Sequence, residues 1–171
     1  QSIYSPQGQP SFRVLRLDLL KSWASGNKYY KLKYGLKDAL AQGTRVVVSK
    51  GGMFSNHLAA LSEACHAFEL HLVAVIRSHT PDEKNPSIQR LRSNGNQIVY
   101  LNPREYNSYG EADAKQHFPD CLFIPEGGLS KEGIKGAMEI VSDCLPHAPT
   151  HIILAGGSMG TASGILAAAP A

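Results

Sequence analysis

The sequence predicts an α/β fold built around parallel sheet. From about residue 44, short β-branched runs alternate with segments of helical period, the pattern of βαβ units. The strand-like runs are nearly continuous in hydrophobicity, as expected for strands covered on both faces. Glycine-rich turns also follow several of these runs, where open parallel sheets place their ligand-binding loops.

The elements follow in order. "FRVLRLD" (Phe12–Asp18) is a candidate edge strand. Asn27 is a candidate N-cap for a helix with Leu32, Leu36, Ala39 and Leu40 on one face, closed by Gly43. "RVVVS" (Arg45–Ser49) is the first core strand, and "GGMFSNHLAAL" leads from it into a helix with Leu58, Leu61, Cys65 and Phe68 on one stripe. "LVAVIR" (Leu72–Arg77), "QIVYL" (Gln97–Leu101), "CLFIP" (Cys121–Pro125) and "HIILA" (His151–Ala155) are the remaining strands. A short helix carries Ile88 and Leu91 and stops at Gly95, and another runs near 134–145. After the last strand come a glycine loop and "ILAAAPA", enough for a short helix. Such a unit must pack on further structure, so the chain reads as the first part of a longer protein.

Composition narrows the class. Of 171 residues, 43% are hydrophobic and 18% charged, which is ordinary globular usage. No apolar run approaches the roughly 20 residues of a membrane span, and the first residues lack the basic and apolar regions of a signal peptide. The net charge of +3 is small. Its one local concentration, "KYYKLKYGLK" (Lys28–Lys37), is expected to be the solvated basic face of a helix rather than a nucleic-acid patch. Cys65, Cys121 and Cys144 are scattered with no C-x-x-C pair, which fits free thiols in a reducing, cytoplasmic compartment and no metal.

Four junctions could carry chemistry. In "GGSMGTASG" (Gly156–Gly164) the glycines and the helix start form a candidate phosphate cup. The dinucleotide fingerprint fails because Ala155 stands where its first glycine belongs, and the P-loop fails for want of a lysine. Gly156-x-Ser158-x-Gly160 does match a hydrolase nucleophile elbow, although no acid or His follows it. In "SGNKYYKL", Lys28 falls in a first helical turn, where the positive dipole favours its neutral, nucleophilic form. Ser55 is a good N-cap, and Gly51, Gly52, Asn56 and His57 crowd the same turn beyond what capping needs. In "IPEGGLSKEG", Glu126 is expected to be a solvated carboxylate.

Together "SGNKYYKLKYGLKDAL", "GGMFSNHLAAL", "IPEGG" and "ILAGGSMGTASG" resemble the pyridoxal-phosphate enzymes grouped as 1-aminocyclopropane-1-carboxylate (ACC) deaminase and D-cysteine desulfhydrase, of the tryptophan-synthase-β fold. The resemblance runs from about Phe12 to Gly164, and the pair G-N-K-x-x-K-L and G-G-x-x-S-N-H is its specific part. It implies two α/β domains with pyridoxal 5'-phosphate between them. Residues 1–43 would be the N-terminal segment of the larger domain, 44–145 the smaller domain, and 146–171 the return to the larger one.

The resemblance also implies that Lys28 carries the cofactor and that Ser55 contacts the substrate. Asn56 would bond the cofactor's ring hydroxyl, with His57 beside the substrate. Gly157, Ser158, Met159, Gly160 and Thr161 would hold the phosphate. The reaction implied is deamination or lyase chemistry on a small amino acid, in a homodimer. A cofactor-binding homologue without activity, or more remotely a hydrolase using Ser158, is the alternative. Two positions depart from the pattern: Lys50 stands where an uncharged or aromatic residue is expected, and His57 where the ring-opening deaminases have Gln.

Overall fold

The computed structural model describes residues 2–4, 12–20 and 23–169, with side chains from Phe12 onward. Its centre is a four-stranded parallel sheet of β3 (Val46–Gly52), β4 (His71–Arg77), β5 (Gln97–Leu101) and β6 (Leu122–Ile124), in the order β5-β4-β3-β6. A separate antiparallel ribbon joins β1 (Ser2–Tyr4) to β2 (Phe12–Val14). The expected edge strand is therefore shorter and pairs outside the parallel sheet. Residues beyond it form a 3-10 turn, Leu17–Leu19.

Both faces of the sheet are covered, which is why its strands read as unbroken apolar runs. On one face Leu72 and Ile76 pack with Leu32 and Leu36 of α1 (Asn27–Ala41), Leu58 and Leu61 of α2 (Asn56–Ala67), and Ile88 of α3 (Pro86–Ser93). On the other, Val48, Val73 and Val75 meet Tyr106 of α4 (Pro103–Ser108) and Ala114 of α5 (Glu111–His117). A third cluster holds Tyr30 of α1 against Ile140 and Val141 of α6 (Lys131–Cys144) and Ile165 of α7 (Gly160–Ala168).

Two helices, α4 and α5, were not expected from periodicity because each is barely two turns long. The signal lies in "NPRE": Asn102 caps, Pro103 sits in the first turn and Glu105 completes a capping box. Ser55, by contrast, caps α2 as expected, accepting from the Leu58 N–H at 3.2 Å.

Three expectations need correction. Asn27 does not cap α1: Gly26 takes that place with φ +65°, and the Asn27 amide instead donates to Thr161 Oγ1 at 2.7 Å. The predicted strand at 151–155 is not formed. A strand needs a neighbour to complete its ladder, and among the described residues none pairs with it, which leaves Ile153 95% exposed. The "solvated basic face" of α1 is also wrong. Lys31 is buried, Lys33 is ion-paired with Glu139, and Lys28 is half-buried.

The burial of those lysines follows from the approach of α6 to α1. A Cβ on Gly136 would lie 1.7 Å from the Tyr30 carbonyl oxygen, so only glycine permits this contact. Gly136→Ala should therefore cost about 1–3 kcal/mol as overpacking does, lowering the urea midpoint at unchanged slope. An unchanged midpoint would mean the two helices do not meet this closely.

Candidate active site

The sheet order puts a topological switch between β3 and β6. After β3 the chain crosses to β4 on one side, and after β5 it returns to the other. Crevices of this kind open beyond the carboxyl ends of the strands, and the conspicuous turns gather there. The turn after β3 carries Gly51–His57. The turn after β6 is the 3-10 segment Glu126–Gly128, and the loop 156–159 leads into α7. At the first turn, a Cβ on Gly51 would fall 2.7 Å from Ser55 Oγ, whereas one on Gly52 would meet nothing within 4 Å. Of the two glycines, Gly51 is the one this turn needs.

The loop before α7 has the form of an anion cup. Met159 occupies the N-cap with φ +61°, and no side chain caps the helix. The first N–H groups of α7 thus point outward with the positive end of the dipole. Lys31 reaches the same place: its Nζ donates to Ser158 Oγ at 3.3 Å, and a Cβ on Gly160 would lie 2.7 Å from it. Burial first, then the charge of Lys28, lowers the Lys31 amine to about 8. A cation buried without a neighbouring carboxylate is costly unless an anion joins it.

Lys28 lies one turn earlier on α1. Its Nζ donates to Asn27 Oδ1 at 3.0 Å, and burial lowers its pKa. The helix dipole, invoked from the sequence, is not the cause found. Thr161, Asn27 and Lys28 form one hydrogen-bonded chain from the loop to the amine. An amine whose neutral form is favoured is suited to condensing with a carbonyl.

The other expected residues divide. His57 is buried, with Nε2 2.9 Å from Ser49 Oγ and its pKa lowered to about 3 by burial, then by Lys28 and Lys31. Asn56 is exposed in the first turn of α2, while Gly157, Ser158 and Met159 line the open loop. Glu126 is exposed, as expected. Lys50 turns away toward α4, where Nζ donates to the Tyr106 and Tyr109 carbonyls at 2.6 and 2.7 Å and lies 4.4 Å from the Tyr106 ring centroid. It serves the carboxyl end of α4, a natural place for a cation. The departure at position 50 is thus answered by α4.

Lys31 was missed as a site residue. Three positions separate it from Lys28, which places both on one helix face, and that spacing was the available signal. The nucleophile elbow is not supported. No strand precedes it, the left-handed residue is Met159 rather than Ser158, and Ser158 Oγ meets a lysine.

A doubly covered parallel sheet with a lysine pair and an anion cup at its switch point defines a cofactor-binding α/β protein. The residues present fit pyridoxal phosphate: an amine for its carbonyl and a cationic cup for its phosphate. The chain belongs to the family described as "Pyridoxal-phosphate dependent enzyme", whose pattern matches residues 14–170.

Among curated proteins it is 31% identical to a Thermotoga maritima protein provisionally named 1-aminocyclopropane-1-carboxylate deaminase, over 90% of this chain and 52% of the other. It is 28% identical to the Arabidopsis thaliana bifunctional D-cysteine desulfhydrase/1-aminocyclopropane-1-carboxylate deaminase, over 89% and 43%. It is 26% identical to the Salmonella typhi D-cysteine desulfhydrase, over 89% and 51%. The crystal structure of an ACC deaminase homologue superposes with a TM-score of 0.70 at 27% identity, covering 84% of this chain and 46% of that one. The chain spans about half the length of the curated relatives it matches. The expectations of an α/β fold of this type and of this family therefore stand.

Lys31 should cost stability below its folded pKa. It is protonated at pH 10 in the unfolded chain but loses its proton near 8 when folded. The unfolded state thus binds more protons between about 8 and 10.5, and stability from this group rises with pH across that window. Lys31→Met should raise stability near pH 7 by roughly 1–3 kcal/mol, and the gain should vanish toward pH 10.5. A variant less stable than the parent at pH 7 would contradict this reading.

Proposed function

We propose that the whole protein is a pyridoxal-phosphate-dependent deaminase or lyase that acts on a small amino acid, of the D-cysteine or ACC type, and releases a 2-keto acid and ammonia. The observation that carries the proposal is the pairing of Lys28 and Lys31 on one face of α1 at the 157–161 loop. One amine, held by Asn27 and shifted by burial toward its neutral form, suits bonding a carbonyl, while the other faces a phosphate cup. When bound, the cofactor supplies an electron sink for the substrate's α-carbon. Lys28 would hold it and would be the group that moves the substrate's α-proton. Lys31 and the N–H groups of Gly160 and Thr161 hold the phosphate, with Gly157, Ser158 and Met159 shaping the loop. Ser55 and Asn56 sit at the start of α2, where the N–H groups that the Ser55 cap leaves over suit a carboxylate. Asn56 bonds the ring hydroxyl.

We read residues 44–145 as the smaller domain, a division supported by the sheet lying wholly within it. The segments 1–43 and 146–171 would belong to the larger one. We read the whole protein as a cytoplasmic homodimer; the free thiols of Cys65, Cys121 and Cys144 suit the reducing compartment in that reading.

Loaded with pyridoxal 5'-phosphate, the chain should show a visible absorbance band that borohydride removes. Mass spectrometry should then find the cofactor on Lys28, and Lys28→Ala should lose the band while keeping the fold. Attachment to Lys31, Lys33 or Lys50 would refute the assignment.

Ser55→Asp tests the substrate side. Aspartate caps as well as serine, but its carboxylate would repel the substrate's own in a cleft of low dielectric. Stability and cofactor content should persist, while turnover by the whole enzyme falls at least tenfold. With His57 in place of Gln, D-cysteine should be turned over faster than ACC. Faster ammonia release from ACC at saturation would reverse that order.

A further inference from the structure

Ser49 has no part in the site so far. It is fully buried on β3, its hydroxyl donates to the Ile124 carbonyl at 2.7 Å, and its Oγ lies 2.9 Å from His57 Nε2. A serine hydroxyl has one proton to give. With that proton committed to Ile124, the contact to His57 requires the Nε2–H tautomer. Nδ1 is then an acceptor, and it has no hydrogen-bond partner although the residue is only 3% exposed. Orphaned buried acceptors are rare in folded proteins and ask for an explanation.

The surroundings supply one. His57 Cε1, the ring carbon beside Nδ1, would lie 3.6 Å from a Cβ built on Gly128, and Lys31 Cε would lie 3.5 Å from the same point. Imidazole and lysine stem therefore border one small space over Gly128. The charges acting on the imidazole are Lys28 and Lys31, both from α1, while β3 and β6 present the neutral Ser49 hydroxyl and Ile124 carbonyl. Both cations resist protonation of the ring, so it remains an acceptor.

We propose that Ser49 and His57 are positioning residues: Ser49 fixes the Nε2–H tautomer, and His57 Nδ1 then accepts from the Lys31 ammonium, directly or through one buried water, when an anion occupies the 157–161 loop. The proposal rests on the reading of that loop as the phosphate cup. A neutral acceptor is what such a cup requires. A carboxylate in its place would orient the ammonium equally well but cancel the charge meant for the phosphate. The relay also ties β3, β6 and α2 to the lysine, so the two walls of the crevice and the cation are aligned together.

The test is NMR on the whole protein with labelled histidine and lysine side chains, titrated with inorganic phosphate. His57 should show the Nε2–H tautomer with no titration from pH 8 to pH 4. Phosphate should shift the His57 Nδ1 and Lys31 Cε resonances together with one binding constant. His57→Phe keeps a ring but removes the acceptor, and Ser49→Ala releases the tautomer. Each should weaken phosphate binding at least fivefold, and Ser49→Thr should restore most of it.

An Nδ1–H tautomer in the parent protein would overturn the proposal even if every variant failed to fold. So would unchanged phosphate affinity in the folded Ser49→Ala and His57→Phe variants. Failure of the parent to bind either phosphate or pyridoxal 5'-phosphate would instead overturn the reading of the loop itself, and the relay's role with it.

Discussion

The contact on which the site depends is the close approach of α1 and α6. Where Gly136 passes the Tyr30 carbonyl, the helices come nearer than any side chain would allow. That approach fixes the start of α1 against α7, because α6 also packs on α7 through Gly164, whose Cβ would fall 2.5 Å from that of Ala137. The polar links across the gap, Asn27 to Thr161 and Lys31 to Ser158, follow from this backbone placement. They are too few to have created it. A layer built by small residues is rigid because it has no side-chain freedom to relax, which suits a site where two lysines must reach fixed points.

The same placement has an energetic consequence. Most buried polar groups in this chain are paired: Ser62 receives Asn94 and Asn96, and Tyr30 donates to Asp143. Lys31 has only a hydroxyl, and His57 Nδ1 nothing. Both of these border Gly128. Two under-satisfied polar groups around one small space mark a site where stability has been given up for binding. The fold can carry that cost because its three apolar clusters lie around the site and not within it.

How much of this was legible in the sequence depended on which level of structure decided each element. The four sheet strands were visible because burial on both faces writes itself into every residue of the run, as in "LVAVIR" for β4. The run "HIILA" has a similar apolar character, yet it forms no strand and stays exposed. Strand character in a sequence reports only the capacity to pair, and pairing needs a neighbour that a local pattern cannot supply. For α4 the reverse held. Its capping box was present in "NPRE", but with six residues it has no period to detect.

The site was legible in its residue types and less so in their directions. Lys28, Ser55 and the glycine loop could be chosen because helix starts and strand ends are local features. Asn27 was misread for the same reason: a good capping residue before a helix is locally sufficient, and its actual partner, Thr161, lies 134 positions away. Lys31 and Ser49 stayed hidden because nothing local distinguishes a buried lysine from a surface one, or a strand serine from its neighbours. What distinguishes them is the crossing of α1 over the switch point between β3 and β6. That crossing turns one face of a basic helix inward, so the charge that looked like a solvated patch becomes the electrostatic centre of the crevice.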